Sequence, residues 1–284
     1  MAVNQPQLSK KTRSSTGGKG FAAAIHLLSA LMLLLFIMPL IALIWRAVVL
    51  TSGGANFGYA DLLTSLSISL ITTVVSMLVI VLFGTPLAYL LSRTTNRGIK
   101  FLGILVELPI VMPPVVAGLA LLSAFGRSGL LGAAFSFLGI QLPFTPAAVV
   151  IAQVFVSSPF YIRAAQSSFN SLPPELEEAA RIDGASAGVT FRQIMLPMSS
   201  PAMISGLLLS WARALGEFGA TILFAGNLAG STQTMSLLVF TALERDLGAT
   251  YTTALILLGL AAVLLGGMRI LARLDRGEHP QVTS

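Results

Sequence analysis

Long apolar stretches alternate with short polar segments along the chain, and the polar segments carry most of the basic residues. A helix needs about 20 apolar residues to cross a bilayer core. Six stretches reach that length: 21–45 and approximately 62–91, 101–125, 144–166, 197–225 and 248–270. The first exceeds the apolar core of about 7–15 residues found in a cleavable signal peptide, so we interpret it as a retained span. The pattern predicts an all-α membrane protein with six transmembrane helices.

The basic residues orient these helices, because Lys and Arg are enriched on the cytoplasmic side of a membrane. With the N-terminus inside, thirteen Lys and Arg residues, Arg163 among them, fall in cytoplasmic segments. Three fall in external segments, namely Arg46, Arg127 and Arg245, while Arg213 lies within the fifth span. The distribution predicts that both termini are cytoplasmic.

The remaining segments complete the predicted organisation. Residues 1–20 are expected to form a disordered cytoplasmic tail, residues 21–271 the membrane domain, and residues 272–284 a cytoplasmic C-terminal tail. Residues 126–143 are apolar but interrupted by glycines, which favours an external loop with a short interfacial or re-entrant piece. The proline-rich run at 108–116 is compatible equally with a bent packing helix and with a helix that lines a pathway.

Composition excludes several classes of protein. The chain is 55% hydrophobic and only 10% charged, whereas soluble domains are about 25% charged. The net charge of +6 is distributed between apolar runs, which does not favour nucleic-acid binding. Cysteine is absent and the two histidines, His26 and His279, lie far apart, so we expect no metal site, no cofactor and no catalytic residues. Without a phosphate-binding loop, ATP would have to be bound by another protein.

The polar segment between the fourth and fifth spans, residues 167–197, is named here the elbow. We expect a helix capped by Ser171, with proline and acidic residues in its first turn. Gly184 would end that helix in a left-handed conformation. A second short helix would then lead through Phe191 and Ile194 to the fifth span.

The elbow resembles the EAA signature of ABC importer permeases. Glu178-Ala179-Ala180 is followed after three residues by Gly184, and after nine more by Ile194-Met195-Leu196-Pro197. The resemblance implies cytoplasmic coupling helices that dock into a separate ATPase. The residues that it implicates in ATPase coupling are Glu178, Ala179, Ala180, Gly184, Ile194, Leu196 and Pro197. The alternative is a solvated amphipathic loop.

Residues 214–221, 224–227 and 232–234 narrow the resemblance to the molybdate-type branch of these permeases, although sulfate permeases are similar there. Met235-Ser236-Leu237 stands where that branch has Leu-Pro-Leu. The resemblance implies a multi-pass inner-membrane homodimer with two ATPase subunits and an extracytoplasmic oxyanion-binding protein. It further implies import of molybdate or tungstate, with sulfate or thiosulfate as the alternative.

Arg213 and Glu217 lie four residues apart in the fifth span, where the spacing would place both on one helix face. A charge at mid-bilayer costs about 2.5–3.5 kcal/mol on insertion scales, so each needs a partner or water. A structural ion pair and a gate are equally compatible, and we include Phe218 and Thr221 among the pathway or gate residues. An ion-coupled carrier or a channel is the rival class, but such proteins have more intramembrane ionisable residues than these two and Glu107.

Overall fold

The computed structural model describes residues 16–51 and 58–274, and this part of the chain contains helices and no β-strand. A π-helical turn, Phe191–Met195, joins the eighth helix to the ninth. Predictions for residues 1–15 and 275–284, which make up most of both tails, lie outside the described residues. The α-helices are α1 (Thr16–Thr51), α2 (Tyr59–Arg93), α3 (Arg97–Val111), α4 (Pro114–Phe125), α5 (Gly132–Phe137), α6 (Pro146–Ser171), α7 (Pro174–Ile182), α8 (Ala187–Thr190), α9 (Leu196–Leu215), α10 (Gly219–Phe224), α11 (Met235–Leu243) and α12 (Leu247–Leu274).

Five helical segments of the described chain are long and apolar enough to cross a membrane. They are Phe21–Leu50, Tyr59–Arg93, Pro146–Ser171, Ala187–Leu215 and Leu247–Gly267. The third predicted span, 101–125, is not one continuous helix, because α3 ends at Val111 and α4 begins at Pro114. Proline lacks the backbone N–H that would continue the ladder. The all-α class is confirmed for the described residues, whereas the count of six spans and the side of the termini remain predictions.

Three further segments differ in detail from the expected pattern. The predicted fifth span, 197–225, is helical only to Leu215, after which residues 216–218 interrupt it and α10 begins. The expected short piece within 126–143 is α5. Residues 226–247, expected to be an external loop, contain the apolar helix α11.

Helices α2, α6 and α9 form the centre of the fold. Gly206 of α9 allows close approach to α6, since a Cβ there would lie 3.3 Å from the backbone oxygen of Phe160. Polar side chains join the same helices: Gln153 accepts a hydrogen bond from Ser76 (2.9 Å), and Ser210 donates to the carbonyl of Ser157 (2.8 Å). Small and hydroxyl residues are the usual contacts between membrane helices.

A second cluster covers the half of α6 that is remote from the elbow. Ala117 of α4, Val156 of α6, and Ala220 and Phe224 of α10 are buried together there. In contrast, the described apolar side chains of α1 are almost all exposed, and α1 packs mainly along α12. An apolar outer surface of this kind fits a lipid environment.

Candidate functional site

The first helix of the elbow, α7, begins two residues later than expected. Ser171 does not cap it, because that residue belongs to the last turn of α6 and its hydroxyl donates to the carbonyl of Ser168 (2.7 Å). Pro173 is the N-cap residue and Pro174 the first helical residue, where a missing N–H costs nothing. Glu175 and Glu177 occupy the first turn, next to the positive end of the helix dipole.

The end of α7 confirms the expected role of Gly184 in the backbone. Gly184 has a φ of +82°, a left-handed conformation. Its N–H donates to the carbonyl of Arg181 (3.0 Å), and the N–H of Ala185 donates to that of Ala180 (2.9 Å). These two bonds are those of a Schellman motif. Among the described residues, apart from its two chain neighbours, none has a heavy atom within 4 Å of a Cβ built at Gly184, so the constraint is conformational rather than steric.

The signature residues of the elbow divide into a surface and an anchor. The surface residues are Glu178, Ala179, Gly184 and Pro197, which are exposed. Ala180 is buried against the rest of the chain, and Ile194 and Leu196 are partly buried. One side of the elbow is therefore available to a partner while the other side is packed.

The packed side of the elbow contacts the ends of α2 and α6. Arg93, the last residue of α2, forms an ion pair with Glu177 of α7 (2.5 Å). The ring of Tyr89 lies 4.9 Å from that of Phe191 and 5.6 Å from that of Phe169, measured between centroids. Aromatic pairs at these separations are favourable beyond their buried area. The elbow is thus fixed to the ends of α2 and α6.

The second part of the elbow continues into the fifth span without leaving helical conformation. The Ser186 side chain caps α8 by accepting a hydrogen bond from the N–H of Val189 (3.4 Å). The π-helical turn Phe191–Met195 then leads directly into α9. Single π-helical turns often occur at functional positions. The helix α8, the π-helical turn and α9 form one continuous helical segment. A displacement of this part of the elbow can therefore be transmitted along α9.

Arg213 and Glu217 form the expected ion pair at the C-terminal end of α9, remote from the elbow. Nη1 of Arg213 lies 2.7 Å from Oε2 of Glu217, and the Glu217 side chain is only 1% exposed. The prediction that both share a helix face is wrong, because α9 ends at Leu215 and Glu217 lies in the interruption. Glu217 also accepts a hydrogen bond at Oε1 from the N–H of Ala220 (2.8 Å). Its carboxylate therefore joins the end of α9 to the start of α10.

The other two predicted gate residues lie beside this interruption. Phe218 is the N-cap residue of α10 and its ring centroid is 5.1 Å from that of Phe240. Thr221 is fully buried, and its hydroxyl makes no hydrogen bond within the described part of the chain. The structure therefore brings the four predicted gate residues together around one break in the fifth span.

The proline run positions a helix against the same break. A Cβ built at Gly219 would overlap Pro114, and one at Gly118 would lie 2.8 Å from Cβ of Leu223. Helices α4 and α10 thus touch almost backbone to backbone. Of the two interpretations left open for residues 108–116, this contact supports close packing, and it occurs at the candidate gate.

Residues 81–276 match the family described as "Binding-protein-dependent transport system inner membrane component". The chain belongs to this family. As a member it is a multi-pass inner-membrane protein, and the ABC permease resemblance of the elbow is confirmed.

Three transport permeases from bacteria are similar to this chain in sequence. The probable transport system permease protein NifC of Clostridium pasteurianum is 39% identical, and the match covers 87% of each chain. The molybdenum transport system permease protein ModB of Mycobacterium tuberculosis is 39% identical over 72% of this chain and 78% of its own. The sulfate transport system permease protein CysT of Salmonella typhimurium is 34% identical over 87% of this chain and 90% of its own.

Among solved structures, the fold is similar to that of a bacterial alginate ABC transporter crystallised with an alginate pentasaccharide-bound periplasmic protein. The TM-score is 0.69 at 17% identity, and the match covers 92% of this chain and 96% of that chain. At this identity the similarity supports the fold alone.

Sequence reasoning missed two ion pairs of the permease. Arg93 was counted only as a topology signal and Glu177 only as a helix-dipole residue, because 84 positions separate them. The pair between Arg163 of α6 and Glu107 of α3 was also missed. The signal available for the second pair was an arginine inside a stretch predicted to span the membrane.

Proposed function

We propose that two copies of this permease form the pathway of an ABC importer that moves molybdate or tungstate into the cytoplasm. One observation carries the proposal: the exposed signature residues Glu178, Ala179 and Gly184 belong to an elbow that continues as helix into α9, and α9 ends beside the Arg213–Glu217 pair. A docking surface and a candidate gate are thereby parts of one mechanical unit. Two cytoplasmic ATPase subunits and an extracytoplasmic oxyanion-binding protein complete the assembly. We expect the chain itself to bind no cofactor.

The mechanism follows from that unit. ATP binding closes the ATPase dimer and draws the two elbows together, with Glu178 and Gly184 on the surfaces that the ATPase holds. Each elbow displaces its α9, since helical backbone joins them. The displacement strains the contact between Arg213 and the carboxylate of Glu217 and opens the pathway outward. ATP hydrolysis and release of the products restore the inward-open state.

Two arguments support a divalent oxyanion as the substrate. The relatives named for molybdenum and sulfate transport are similar to this chain at 39% and 34% identity, and molybdate and sulfate share shape and charge. A divalent anion also needs donors or positive potential in a low-dielectric path. Arg213, with 31% of its side chain exposed, offers a cation beside the break. We place molybdate and tungstate first because of the branch resemblance at residues 214–234.

The test is uptake by the permease reconstituted in liposomes with its ATPase and binding protein. We expect ATP-dependent accumulation of radiolabelled molybdate that excess tungstate competes away. Accumulation of sulfate that neither anion inhibits would replace the substrate with sulfate or thiosulfate and leave the permease role intact. Uptake driven by an ion gradient without ATP would support the ion-coupled carrier instead. No contact among the described residues favours that carrier.

A further inference from the structure

A charged pair outside both proposed sites lies on the surface of the membrane helices. Nη1 of Arg163 in α6 is 2.8 Å from Oε2 of Glu107 in α3. The two side chains are 58% and 40% exposed, respectively, so the described chain covers each of them only in part. An exposed ion pair on a membrane-spanning helix needs an explanation that the elbow and the Arg213–Glu217 pair do not provide.

Although the basic-residue count assigned Arg163 to a cytoplasmic segment, the length of α6 puts it inside the hydrocarbon core if the helix is centred on the bilayer. The helix has 26 residues, or about 39 Å at 1.5 Å per residue, whereas the hydrocarbon core is about 30 Å thick. Arg163 lies eight residues before Ser171, about 12 Å from the elbow end. If the extra length is shared between the two ends, Arg163 is about 7 Å inside the core. A lipid-facing charge there is costly, so this face of α6 meets water or protein.

The residues that follow Arg163 on the same face are polar. Gln166, Ser167 and Asn170 come three, four and seven residues later, which places them along one side of the helix. Ser167 and Asn170 are exposed, and Gln166 is partly exposed. The polar face therefore extends from Arg163 to the elbow.

In the opposite direction the same face of α6 is closed. Pro159 and Val156, four and seven residues before Arg163, are buried. Val156 packs in the cluster that contains Ala117 of α4 and Phe224 of α10. This face of α6 is thus exposed between Arg163 and the elbow and buried in the half of the helix remote from the elbow. Such an arrangement is expected for the wall of a vestibule that opens to the cytoplasm.

We propose that Arg163 is a binding station for the transported divalent oxyanion in the cytoplasmic part of the pathway, with Glu107 as its resting counterion. The inference rests on the proposed function. The oxyanion would displace the Glu107 carboxylate from the Arg163 guanidinium. The carboxylate would then compete with the bound oxyanion for the same guanidinium and so promote its release. Such competition prevents a single cation from trapping a divalent anion, which a conducting path requires.

The second cation of the pathway lies further from the elbow. Ser210 of α9 contacts Ser157 of α6 and Gly206 contacts Phe160, so the helices are antiparallel. Arg213 is therefore level with about residue 154, nine residues or about 13 Å beyond Arg163 along α6. An oxyanion passing the candidate gate would meet Arg213 first and Arg163 second.

Cysteine labelling tests the station, since the chain contains no cysteine. Ser167→Cys is introduced into the reconstituted transporter, which is treated without nucleotide with an anionic and a neutral methanethiosulfonate of similar size. We expect the anionic reagent to label Ser167→Cys about tenfold faster when Arg163 is present than in an Arg163→Gln background. Molybdate at about ten times the reagent concentration should slow this labelling. Ala165→Cys, at a fully buried position on the other side of α6, is the matched control and should not react.

Uptake provides the second measurement. Arg163→Gln should lower ATP-dependent uptake about tenfold while the binding protein still stimulates ATP hydrolysis, and Arg163→Lys should retain most uptake because it keeps the charge. Wild-type uptake by Arg163→Gln, or labelling of Ser167→Cys that ignores both Arg163 and molybdate, would overturn the station. So would labelling by the neutral reagent alone, the result for a lipid-facing position. Failure of the wild-type complex to transport any oxyanion would instead contradict the proposed function.

Discussion

Arg93 at the end of α2 and Glu177 in α7 lie 2.5 Å apart, and their ion pair connects the elbow to the centre of the fold. The side chains are 27% and 15% exposed, so water screens the pair only partly. Nη2 of Arg93 also lies 4.0 Å from Sδ of Met195 in the π-helical turn. One guanidinium thus contacts both halves of the elbow, and we expect it to hold them in one arrangement as the ATPase moves them.

Glu177→Gln should therefore weaken coupling between ATP hydrolysis and transport. Glutamine keeps an oxygen that can accept from Arg93 but loses the charge, and a solvent-accessible ion pair contributes about 0.2–1 kcal/mol, so the coupled fraction should fall by up to about fivefold. We expect ATP hydrolysis to persist in proteoliposomes while oxyanion uptake falls. The ratio of oxyanion transported to ATP hydrolysed is the quantity to measure.

Glu175→Gln is the matched control, because Glu175 shares the first turn of α7 but is exposed. It should leave the ratio near the wild-type value. Equal ratios for Glu175→Gln and Glu177→Gln would show that the Arg93 contact has no part in coupling.

Gly184→Val should abolish transport with normal insertion into the membrane. A β-branched residue in the left-handed region costs about 1–2 kcal/mol or more, so the Schellman end of α7 would rearrange and displace the docking surface. Loss of the ATPase during purification of the complex would report the displacement directly.

Two substitutions control for this change. Gly184→Asn should retain substantial transport, since asparagine tolerates left-handed conformation. Gly188→Ala should be neutral, since Gly188 lies in α8 without positive φ and a Cβ there would contact no described residue beyond its own helix within 4 Å. Full transport by Gly184→Val would argue that the conformation at this position is irrelevant to docking.

The sequence predicted the long helices well, because apolar length and basic residues report directly on the bilayer. It predicted the left-handed stop at Gly184 because glycine followed a short amphipathic helix. The predictions were wrong where tertiary contacts determine where a helix begins or ends. The hydropathy of residues 197–225 is continuous, so nothing local indicated that Glu217 would leave the helix and cap α10.

The elbow shows the same limit. Its signature residues could be read from spacing, but the contacts that anchor it come from Tyr89, Arg93 and Phe169, on helices distant in sequence. Ser171 was assigned as a cap from residue type, whereas the chain used it to finish α6. Long-range packing selects among local options that the residues leave nearly equal.

The topology can be tested with single cysteines labelled from outside intact cells. Ser186→Cys in the elbow should be protected from an impermeant maleimide, because we expect the elbow to be cytoplasmic. Ser231→Cys, between α10 and α11, should react. Ser15→Cys and Thr283→Cys, at positions outside the described residues, should be protected if both termini are cytoplasmic. External labelling of Ser186→Cys would invert the orientation.

Three variants at Glu217 and Arg213 separate a gate from a structural ion pair. Glu217→Ala removes both the ion pair and the acceptor for the N–H of Ala220, and it leaves Arg213 without its carboxylate partner. Since an unsatisfied buried donor and an unpaired charge each cost about 1–3 kcal/mol, we expect Glu217→Ala to uncouple or slow transport and to lower thermal stability. Glu217→Gln keeps an oxygen to accept from Ala220 and loses only the charge, so it should preserve stability while changing transport.

The charge-swapped double variant, Arg213→Glu with Glu217→Arg, distinguishes the two roles. An arginine at 217 cannot accept the hydrogen bond from Ala220, and a glutamate at 213 removes the cation that we expect the oxyanion to meet. A gate that acts on an anion therefore predicts negligible uptake even if the double variant assembles with its ATPase and hydrolyses ATP. A purely structural ion pair requires opposite charges at the two positions, so the double variant should then regain more uptake than either single variant, apart from the loss of the Ala220 hydrogen bond. Uptake restored to the wild-type rate, measured beside each single variant in the same liposomes, would establish the structural ion pair and leave the gate to other residues of the break.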